Sequence, residues 1–554
     1  MESGAGKSEG PLRTLPASRI SWDPRKRECI PIVRIDGSYG KVTLVAAFRE
    51  ADDLIEVAGS TPGETVALLE YLLAICYAFK AQPESSSRWA EEMDSGRSFA
   101  ELADGLEQCC ETEGGGDCEH WDLFHPTAPL GQNALLAPYL DEYGAGPAQL
   151  VIEQVGDYHQ FFDHHHLEHS TPLPADAAFR AMLTQHAYGP GGRARIAGEA
   201  TLGPTLNNLA RGRLAGRIRV IALGQTLSDT LRLNLIPYAK DGLDGDHFNR
   251  TWTVAPQPRR TFKAKPPGRA PAGPADLHSV LGRSVLLRPA VTEGGDIVVD
   301  RVLLAAGELL EELDPHQIPD AVYTSAGKSG AARPLQPAES KAFWREAHAL
   351  YAAVADRQVR PGGGSGGVAG LYDRIARLPR RRLELMAVGL IARQTTVVSW
   401  VCDTFPFVPG REQDLRYAAE RGSALAEYVA DALSKAASTA WTMAYPNPKP
   451  ADKKDQIARF DAGPEHWAHT AEHFHTLLEE TIAAADDEAR LDAALITYAA
   501  ELATAARRFL LHRLDSLPSN TQGHRARARA LHRLKQLLYE DKKTPTELTK
   551  GEGS

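Results

Sequence analysis

The sequence has few of the features that mark secreted, membrane or disulfide-rich proteins. Its 554 residues include only 6 cysteines, too few for a disulfide framework in a chain of this length. No apolar run reaches the roughly 18 residues that a membrane-spanning helix requires. The first residues, 1–10, are polar and lack the apolar core of a signal peptide. These absences predict a cytoplasmic protein with no membrane partner.

An excess of basic residues is also missing. The chain has 62 Lys and Arg against 72 Asp and Glu, a formal net charge of -10. A protein that bound nucleic acid by its overall charge should be basic. Any nucleic-acid contact must therefore use local basic patches or be shared with basic partners. The 43% hydrophobic and 24% charged content is ordinary for a globular protein, and the length predicts about two to four domains.

Complete catalytic motifs are absent as well. No Ser-His-Asp or Cys-His order stands out, and no glycine-loop nucleotide fingerprint is complete. We therefore expect a protein that is not an enzyme and needs no cofactor.

Two clusters could nevertheless hold a metal. One offers the imidazoles of His159, His164, His165, His166 and His169. The other offers Cys109, Cys110, Cys118 and His120. Consecutive histidines point in different directions, and the cysteines lack CxxC spacing, so we expect no metal at either. A metal-dependent hydrolase that uses His159, His164, His166 and His169 remains the alternative function.

The stretch 188–237 combines a glycine loop, a basic strip and a buried strand. Gly189, Gly191 and Gly192 interrupt the chain after Tyr188, and a backbone without side chains can approach a phosphate or a groove floor closely. The apolar run 218–223 predicts a strand, and an amphipathic helix should follow and end before Pro237.

Short motifs in this order resemble the CasA family, the large subunit of the type I-E CRISPR surveillance complex Cascade. They are Gly224-Gln225-Thr226-Leu227 with Asn234-Leu235, Ile30-Pro31-Ile32-Val33-Arg34, Trp121-Asp122-Leu123-Phe124 with Pro129-Leu130-Gly131-Gln132, and Asp314-Pro315-His316 before Phe343-Trp344.

This resemblance implies a non-catalytic DNA-recognition subunit. It would read the protospacer-adjacent motif from the minor groove, start target unwinding and recruit the helicase-nuclease. Its partners would be the other Cascade subunits, the guide CRISPR RNA and the target double-stranded DNA, whose remaining sequence the RNA reads by base pairing. A helical scaffold protein without DNA contact is a second alternative.

The resemblance also implies roles for individual residues. Gly191 and Gly192 would approach the minor groove, and Gln394, flanked by Arg393 and Thr395, would act as a wedge in the duplex. A mobile loop over residues 124–146 would touch the guide RNA and neighbouring subunits through Phe124, Pro129, Leu130 and Gln132. The family lysine between Val302 and Leu310 is missing here, and Arg301, Lys263 and Lys265 are open substitutes.

Two sets of arginines are candidates for phosphate contacts. The first, beside the glycine loop, is Arg211, Arg213, Arg217 and Arg219. The second is a stripe of Arg525, Arg529 and Arg533, spaced four apart on one predicted helix, which could hold a displaced single strand.

The patterns together predict an α+β protein. A large mixed α/β N-terminal domain, 19–405 with a flexible insertion at 361–370, precedes an antiparallel four-helix bundle, 406–545. Short tails, 1–18 and 546–554, flank them. The bundle should contain helices at 412–445, 464–485, 488–515 and 521–541, because long amphipathic segments with short connections pack as antiparallel neighbours.

Overall fold

The structure is a computed structural model. It describes residues 20–96, 98–108, 121–154, 171–192, 209–237, 247–252, 268–311, 320–324, 333–339, 342–355, 370–379, 381–393, 396–445 and 453–551. Within them the protein mixes helices with small sheets and is of the α+β class. The predicted insertion at 361–370, apart from Gly370, and the tail at 1–18 lie outside the described residues.

The described helices alternate with short strands along the first part of the chain. The α-helices are α1 Leu44–Arg49, α2 Pro62–Ala78, α3 Ser86–Ser95, α4 Ala100–Gln108, α5 Leu140–Tyr143, α6 Ala175–Tyr188, α7 Leu227–Asn234, α8 Pro274–Ser279, α9 Ala347–Ala355, α10 Leu371–Ile375, α11 Glu412–Ala444, α12 Lys453–Ala458, α13 Gly463–Ala484, α14 Glu488–Leu514, α15 Thr521–Lys535 and α16 Thr546–Gly551. The strands are β1 Ile30–Arg34, β2 Tyr39–Val42, β3 Leu54–Val57, β4 Leu173–Pro174, β5 Arg219–Leu223, β6 Arg283–Val291, β7 Ile297–Ala306, β8 Tyr323–Thr324, β9 Arg333–Pro334, β10 Leu383–Arg393 and β11 Thr396–Phe407.

The chain divides into two compact units. The first comprises Met1–Lys341, Pro361–Ile375 and Leu383–Thr404; the second comprises Ala342–Arg360, Ala376–Arg382 and Phe405–Ser554. The second unit therefore takes in two segments that precede residue 405, beyond the single stretch 406–545 that the sequence predicts.

The described strands of the first unit form small antiparallel sheets. Their strand orders are β2-β1-β3, β11-β10-β5, β4-β7-β6 and β8-β9. The central helix α2 begins as its sequence predicts, with the Thr61 side chain accepting from the amide of Glu64 and with Pro62 at the first position. It is apolar on all sides and buried along most of its length, as expected for a helix enclosed by its neighbours.

Some segments differ from their predicted structure. The polar-leaning sequence of 48–57 predicts a short helix, but the stretch contains the end of α1 and strand β3, because Leu54 and Val57 are buried against β1. The loop 124–146, expected to resist regular structure, contains a 3₁₀ helix, Ala134–Tyr139, followed by α5. The predicted C-terminal tail begins with α16, which Leu548 and the bond from Arg421 Nη2 to Glu547 (2.7 Å) hold in place.

Four long helices dominate the second unit, close to the bounds expected from the sequence. Among them α11 packs against α13, α14 and α15, and α14 also packs against α13 and α15. Helix α9, which lies far earlier in the chain, packs on α11 as well. No helix among the described residues combines the length and apolar character needed to cross a membrane.

Candidate nucleic-acid interface

Directly after helix α6, residues 189–192 and 209–212 are hydrogen-bonded to each other at the base of the glycine loop, and together they are called the glycine neck. The amide of Gly189 closes the helix on the Gln185 carbonyl at 3.0 Å, and the amide of Gly212 bonds back to the Gly189 carbonyl at 2.8 Å. Gly192 and Leu209 exchange two backbone hydrogen bonds of 3.0 and 3.1 Å. The two sides of the loop are thus paired at its base, and residues 193–208 between them lie outside the described residues.

Arg283, which sequence reasoning missed, ties the two sides of this neck together. Its buried guanidinium donates to the Ala210 carbonyl at 2.6 Å and to the Pro190 carbonyl at 2.5 Å. A Cβ on Gly189 would lie 2.6 Å from the same guanidinium, so glycine is needed there by the fold. The only sequence signal was an arginine at the start of an apolar strand.

Gly191 differs from Gly189 because its surroundings are open. A Cβ at Gly191 would meet the Leu209 carbonyl oxygen at 3.4 Å and Arg211 Cγ at 3.5 Å, which are ordinary contact distances. The side chain of Arg211 is exposed and forms no ion pair with any described residue. An open glycine and an exposed guanidinium thus lie side by side at the base of the loop.

A β-hairpin made by β10 and β11 lies in the same sheet as β5, which continues from the glycine neck. Strand β10 pairs antiparallel with β5, with Glu384 opposite Leu223 and Val388 opposite Arg219. The predicted strand 383–393 is confirmed as β10. The connection of the two strands carries Gln394 and Thr395, which lie outside the described residues.

Trp400 of β11 joins this hairpin to the glycine neck. Its ring contacts Tyr188, the residue before Gly189, with ring centroids 4.8 Å apart in an edge-to-face arrangement. Its Nε1 donates to Glu153 at 2.8 Å. A Cβ on Gly63 would lie 1.9 Å from the ring. Position 63, at the start of α2, must therefore be glycine for the Trp400 ring to fit. The glycine loop and the β10–β11 hairpin, which carry the two predicted DNA-contacting features, are therefore joined by one aromatic contact.

Arg393 ends β10 with an exposed side chain that pairs with Glu339. The pair is accessible to solvent, where ion pairs contribute little to stability. Arg393 is thus placed where a phosphate could compete with Glu339 for its guanidinium.

For Arg213, Arg217 and Arg219 the structure differs from the predicted phosphate contacts. Arg213 and Arg219 pair with the buried Glu70, and Arg217 and Arg219 pair with the buried Asp320. Because their side chains are at most 10% exposed, they form an internal ion cluster and cannot reach the phosphate backbone of a nucleic acid from this position. Burial acts to raise the pKa of Asp320, but Arg217 and Arg219 outweigh it and hold that pKa below its usual value. Arg211 alone of this set remains a candidate.

The predicted RNA-contacting residues of the 124–146 loop are also internal. Phe124, Pro129, Leu130 and Gln132 are all buried. Gln132 donates to the Leu123 carbonyl at 2.6 Å and accepts from the Leu287 amide at 2.8 Å. These side chains hold the loop against the core, and in this conformation none of them can contact RNA directly.

Of the three candidates to replace the family lysine, only Arg301 is among the described residues. Arg301 donates to the carbonyls of Leu140, Asp141 and Gly144 at 3.0, 2.7 and 3.2 Å, so it binds the backbone of the neighbouring loop. Lys263 and Lys265 lie outside the described residues.

The arginine stripe of the second unit is accessible. Arg525 and Arg529 are exposed and Arg533 is partly exposed, and none of the three forms an ion pair with a described residue. Arg527, on the same helix, is bound to Asp515 at 2.8 Å. The stripe thus offers guanidiniums that remain available to an anion.

Both metal candidates, His159 to His169 and Cys109 to His120, fall outside the described residues. Within the described ranges no group of three or more His, Cys, Asp or Glu side chains is arranged to hold a metal ion.

Comparison with known proteins gives consistent matches. The family model for CRISPR-associated protein Cse1 matches residues 26–509. Cse1 from Acidimicrobium ferrooxidans is 19% identical with a TM-score of 0.68, covering 94% of this chain and 98% of its own. Thermobifida fusca Cse1 is 21% identical with a TM-score of 0.69, covering 93% and 98%. A chain of a CRISPR RNA-guided surveillance complex is 19% identical with a TM-score of 0.63, covering 93% and 99%. No curated protein sequence matches the chain.

Proposed function

Because this chain belongs to the CRISPR-associated Cse1 family, we propose that it is a non-catalytic DNA-recognition subunit of a type I-E Cascade complex. In this role it reads the protospacer-adjacent motif from the minor groove and starts unwinding of the target. It then recruits the helicase-nuclease. Its partners are the other Cascade subunits, the guide CRISPR RNA and the target duplex, and it acts in the cytoplasm. The similarity to a chain from an RNA-guided surveillance complex supports this assignment.

The observation that carries the proposal is the contact between Trp400 and Tyr188. It joins the glycine neck to the hairpin whose strands flank Gln394. A recognition element and a wedge must act on neighbouring base pairs, so they need a fixed spacing. The aromatic contact between the end of α6 and strand β11 provides one.

Recognition would use the open backbone around Gly191 and Gly192. The minor groove is narrow, and its pattern of donors and acceptors is degenerate, so a main-chain reader would accept more than one motif. Arg211 and Arg393 flank this backbone and would contact phosphates without reading sequence. Gln394 would enter the duplex beside the motif and separate the first base pairs, with Thr395 beside it.

The second unit would hold the displaced strand. We propose that α11, α13, α14 and α15 form the antiparallel four-helix bundle expected from the sequence, with α9 added on α11. The stripe of Arg525, Arg529 and Arg533 lies beside the buried stripe of Ala526, Ala530 and Leu534 and would bind phosphates of single-stranded DNA.

The test uses the assembled complex with guide RNA and duplexes that differ only in the flanking triplet. We expect Gly192→Trp to abolish motif-dependent capture, because an indole cannot enter the groove with the backbone. The matched control is Gly294→Trp, at an exposed turn far along the chain, which should capture DNA normally. Normal capture by Gly192→Trp would show that the glycine loop is not the reader.

The wedge is tested separately on the same duplexes. Gln394→Ala should bind the motif but open fewer base pairs, as followed by permanganate reactivity of unpaired thymines. Wild-type opening would remove Gln394 from the mechanism while leaving the glycine-loop assignment in place.

A further inference from the structure

A cavity lies beside the buried ion cluster of the first unit. Its lining includes Arg213, Arg219, Arg374, His278, Asp320 and Asn234. All of these residues are described, and the proposed DNA contacts use none of them.

Among the described residues the cluster carries more positive than negative charge. Arg213, Arg217 and Arg219 face two carboxylates, those of Glu70 and Asp320. Three guanidiniums of the described part of the chain thus meet two carboxylates. An uncompensated buried charge is strongly unfavourable, so such a cluster is suited to a bound anion.

One hydrogen-bond donor of the cluster also lacks a partner in the described part of the chain. Arg217 Nη2 is fully buried and has no hydrogen-bond partner among the described residues. Burial, together with the nearby Arg217, lowers the pKa of Arg213 to about 9, so this guanidinium still carries its charge at neutral pH.

His278 and Asp320 add acceptors to this set of donors. Burial and the adjacent arginines keep the pKa of His278 well below its usual value, so the ring is neutral. Its Nδ1 donates to Glu70 at 2.7 Å, which leaves Nε2 as an acceptor with no hydrogen bond among the described residues. An anion that carries a proton can donate to such an acceptor, whereas a fully deprotonated anion cannot.

We propose that this cavity binds a phosphate group, either inorganic phosphate or a phosphate monoester, between the guanidiniums of Arg213, Arg219 and Arg374. The arginines donate to its oxygens. The O–H of the protonated form donates a hydrogen bond to His278 Nε2 or to Asp320; inorganic phosphate keeps this O–H at neutral pH, and a monoester regains it as the pH falls toward its second pKa, about 6. Sulfate has the same shape and carries no proton at neutral pH, so the site should discriminate against it.

The experiment measures thermal unfolding of the full chain in inorganic phosphate, adenosine monophosphate, sulfate or chloride at matched ionic strength. A ligand of the folded state raises the unfolding midpoint saturably. We expect such a shift with phosphate, and a roughly tenfold weaker apparent affinity for sulfate because its complex leaves an acceptor unpaired. A shift with adenosine monophosphate but not inorganic phosphate would identify a monoester as the occupant.

Variants locate the site. Arg374→Met should abolish the phosphate shift, whereas Arg525→Met, which removes an exposed positive charge in the second unit, should retain it. If Arg374→Met does not fold, His278→Phe provides a second test, because it should remove the preference for phosphate over sulfate. In the wild-type chain, ³¹P NMR should show a bound resonance at one equivalent. The absence of both a saturable shift and a bound resonance with either phosphate compound would overturn the proposal.

Discussion

At the scale of single residues, packing restricts two neighbouring glycines of the loop, Gly189 and Gly191, to different degrees. Gly189 is confined by the Gln185 carbonyl and the Arg283 guanidinium, at 2.5 and 2.6 Å from an added Cβ. Gly191 has space for a side chain. The packing therefore requires glycine at 189 but not at 191, where only the proposed DNA contact would require it.

This contrast gives a matched pair of substitutions. Gly189→Ala should lower the free energy of unfolding by about 1–3 kcal/mol, because a methyl group is forced into a packed site. Gly191→Ala should change it by less than about 0.5 kcal/mol and should still weaken motif-dependent DNA binding. Urea denaturation and a duplex-binding assay on the assembled complex measure the two effects. Equal destabilisation by both changes would contradict the distinction.

At the scale of elements, Trp400 connects the β10–β11 hairpin to the glycine neck. Its ring packs on Tyr188 and occupies the space beside Gly63. Strand β10 also pairs with β5, which follows the neck in the chain. The aromatic contact therefore adds a second point at which the hairpin is held.

We expect Trp400→Ala to lower the free energy of unfolding by roughly 3 kcal/mol and to reduce discrimination between correct and incorrect motifs. The control is Trp344→Ala, which removes a buried tryptophan in the second unit and should cost similar stability without changing discrimination. Binding of paired duplexes at a temperature where both variants are folded separates the effects. Unchanged discrimination in Trp400→Ala would mean that the hairpin is positioned by other contacts.

The arginine stripe of helix α15 makes a second prediction for an element. Each of Arg525→Gln and Arg529→Gln should weaken single-strand binding and reduce the slope of log affinity against log salt by about 0.7, one lost phosphate contact. Arg527→Gln is the control, because Arg527 is already bound to Asp515 on the same helix. A salt slope that is the same in all three variants would show that the stripe does not contact phosphate.

At the scale of the whole molecule, each unit contains a buried neutral histidine. In the first, His186 Nε2 donates to the Gly131 carbonyl at 2.9 Å while Nδ1 accepts from the Arg283 amide at 3.3 Å. In the second, His466 Nε2 donates to the Ala426 carbonyl at 2.9 Å. Burial lowers the pKa of both histidines to about 4. Acid should therefore weaken both units over the same range of pH.

The direction in which the free energy of unfolding changes with pH follows from proton binding by the folded and unfolded states. As pH falls through 6.5 the unfolded histidines take up protons, while the folded ones stay neutral until about pH 4. The free energy of unfolding is thus largest above pH 6.5 and falls by roughly 3 kcal/mol per histidine on the way to pH 4. Urea denaturation between pH 7.5 and 4.5 measures it. His186→Gln should reduce this dependence in the first unit, whereas the exposed His524→Gln should not; equal pH dependence in all three proteins would contradict the assignment.

The sequence by itself determined the elements and the family. Apolar periodicity and capping residues located α2, β10 and the long helices of the second unit to within a few residues, because those signals act between near neighbours. The short motifs identified the family that the match over residues 26–509 establishes.

Only the tertiary structure decided what the charged and aromatic side chains do. Arg213, Arg217 and Arg219 read as a basic patch, yet their acidic partners are 143, 103 and 149 residues away along the chain. The contacts of Arg283 with the glycine neck and of Trp400 with Tyr188 and Gly63 likewise join distant segments. A local sequence pattern shows whether a residue is polar or apolar. Its burial and pairing depend on which distant segments fold against it. Only the assembled core could therefore distinguish an arginine in a buried ion pair from one that is accessible to a ligand.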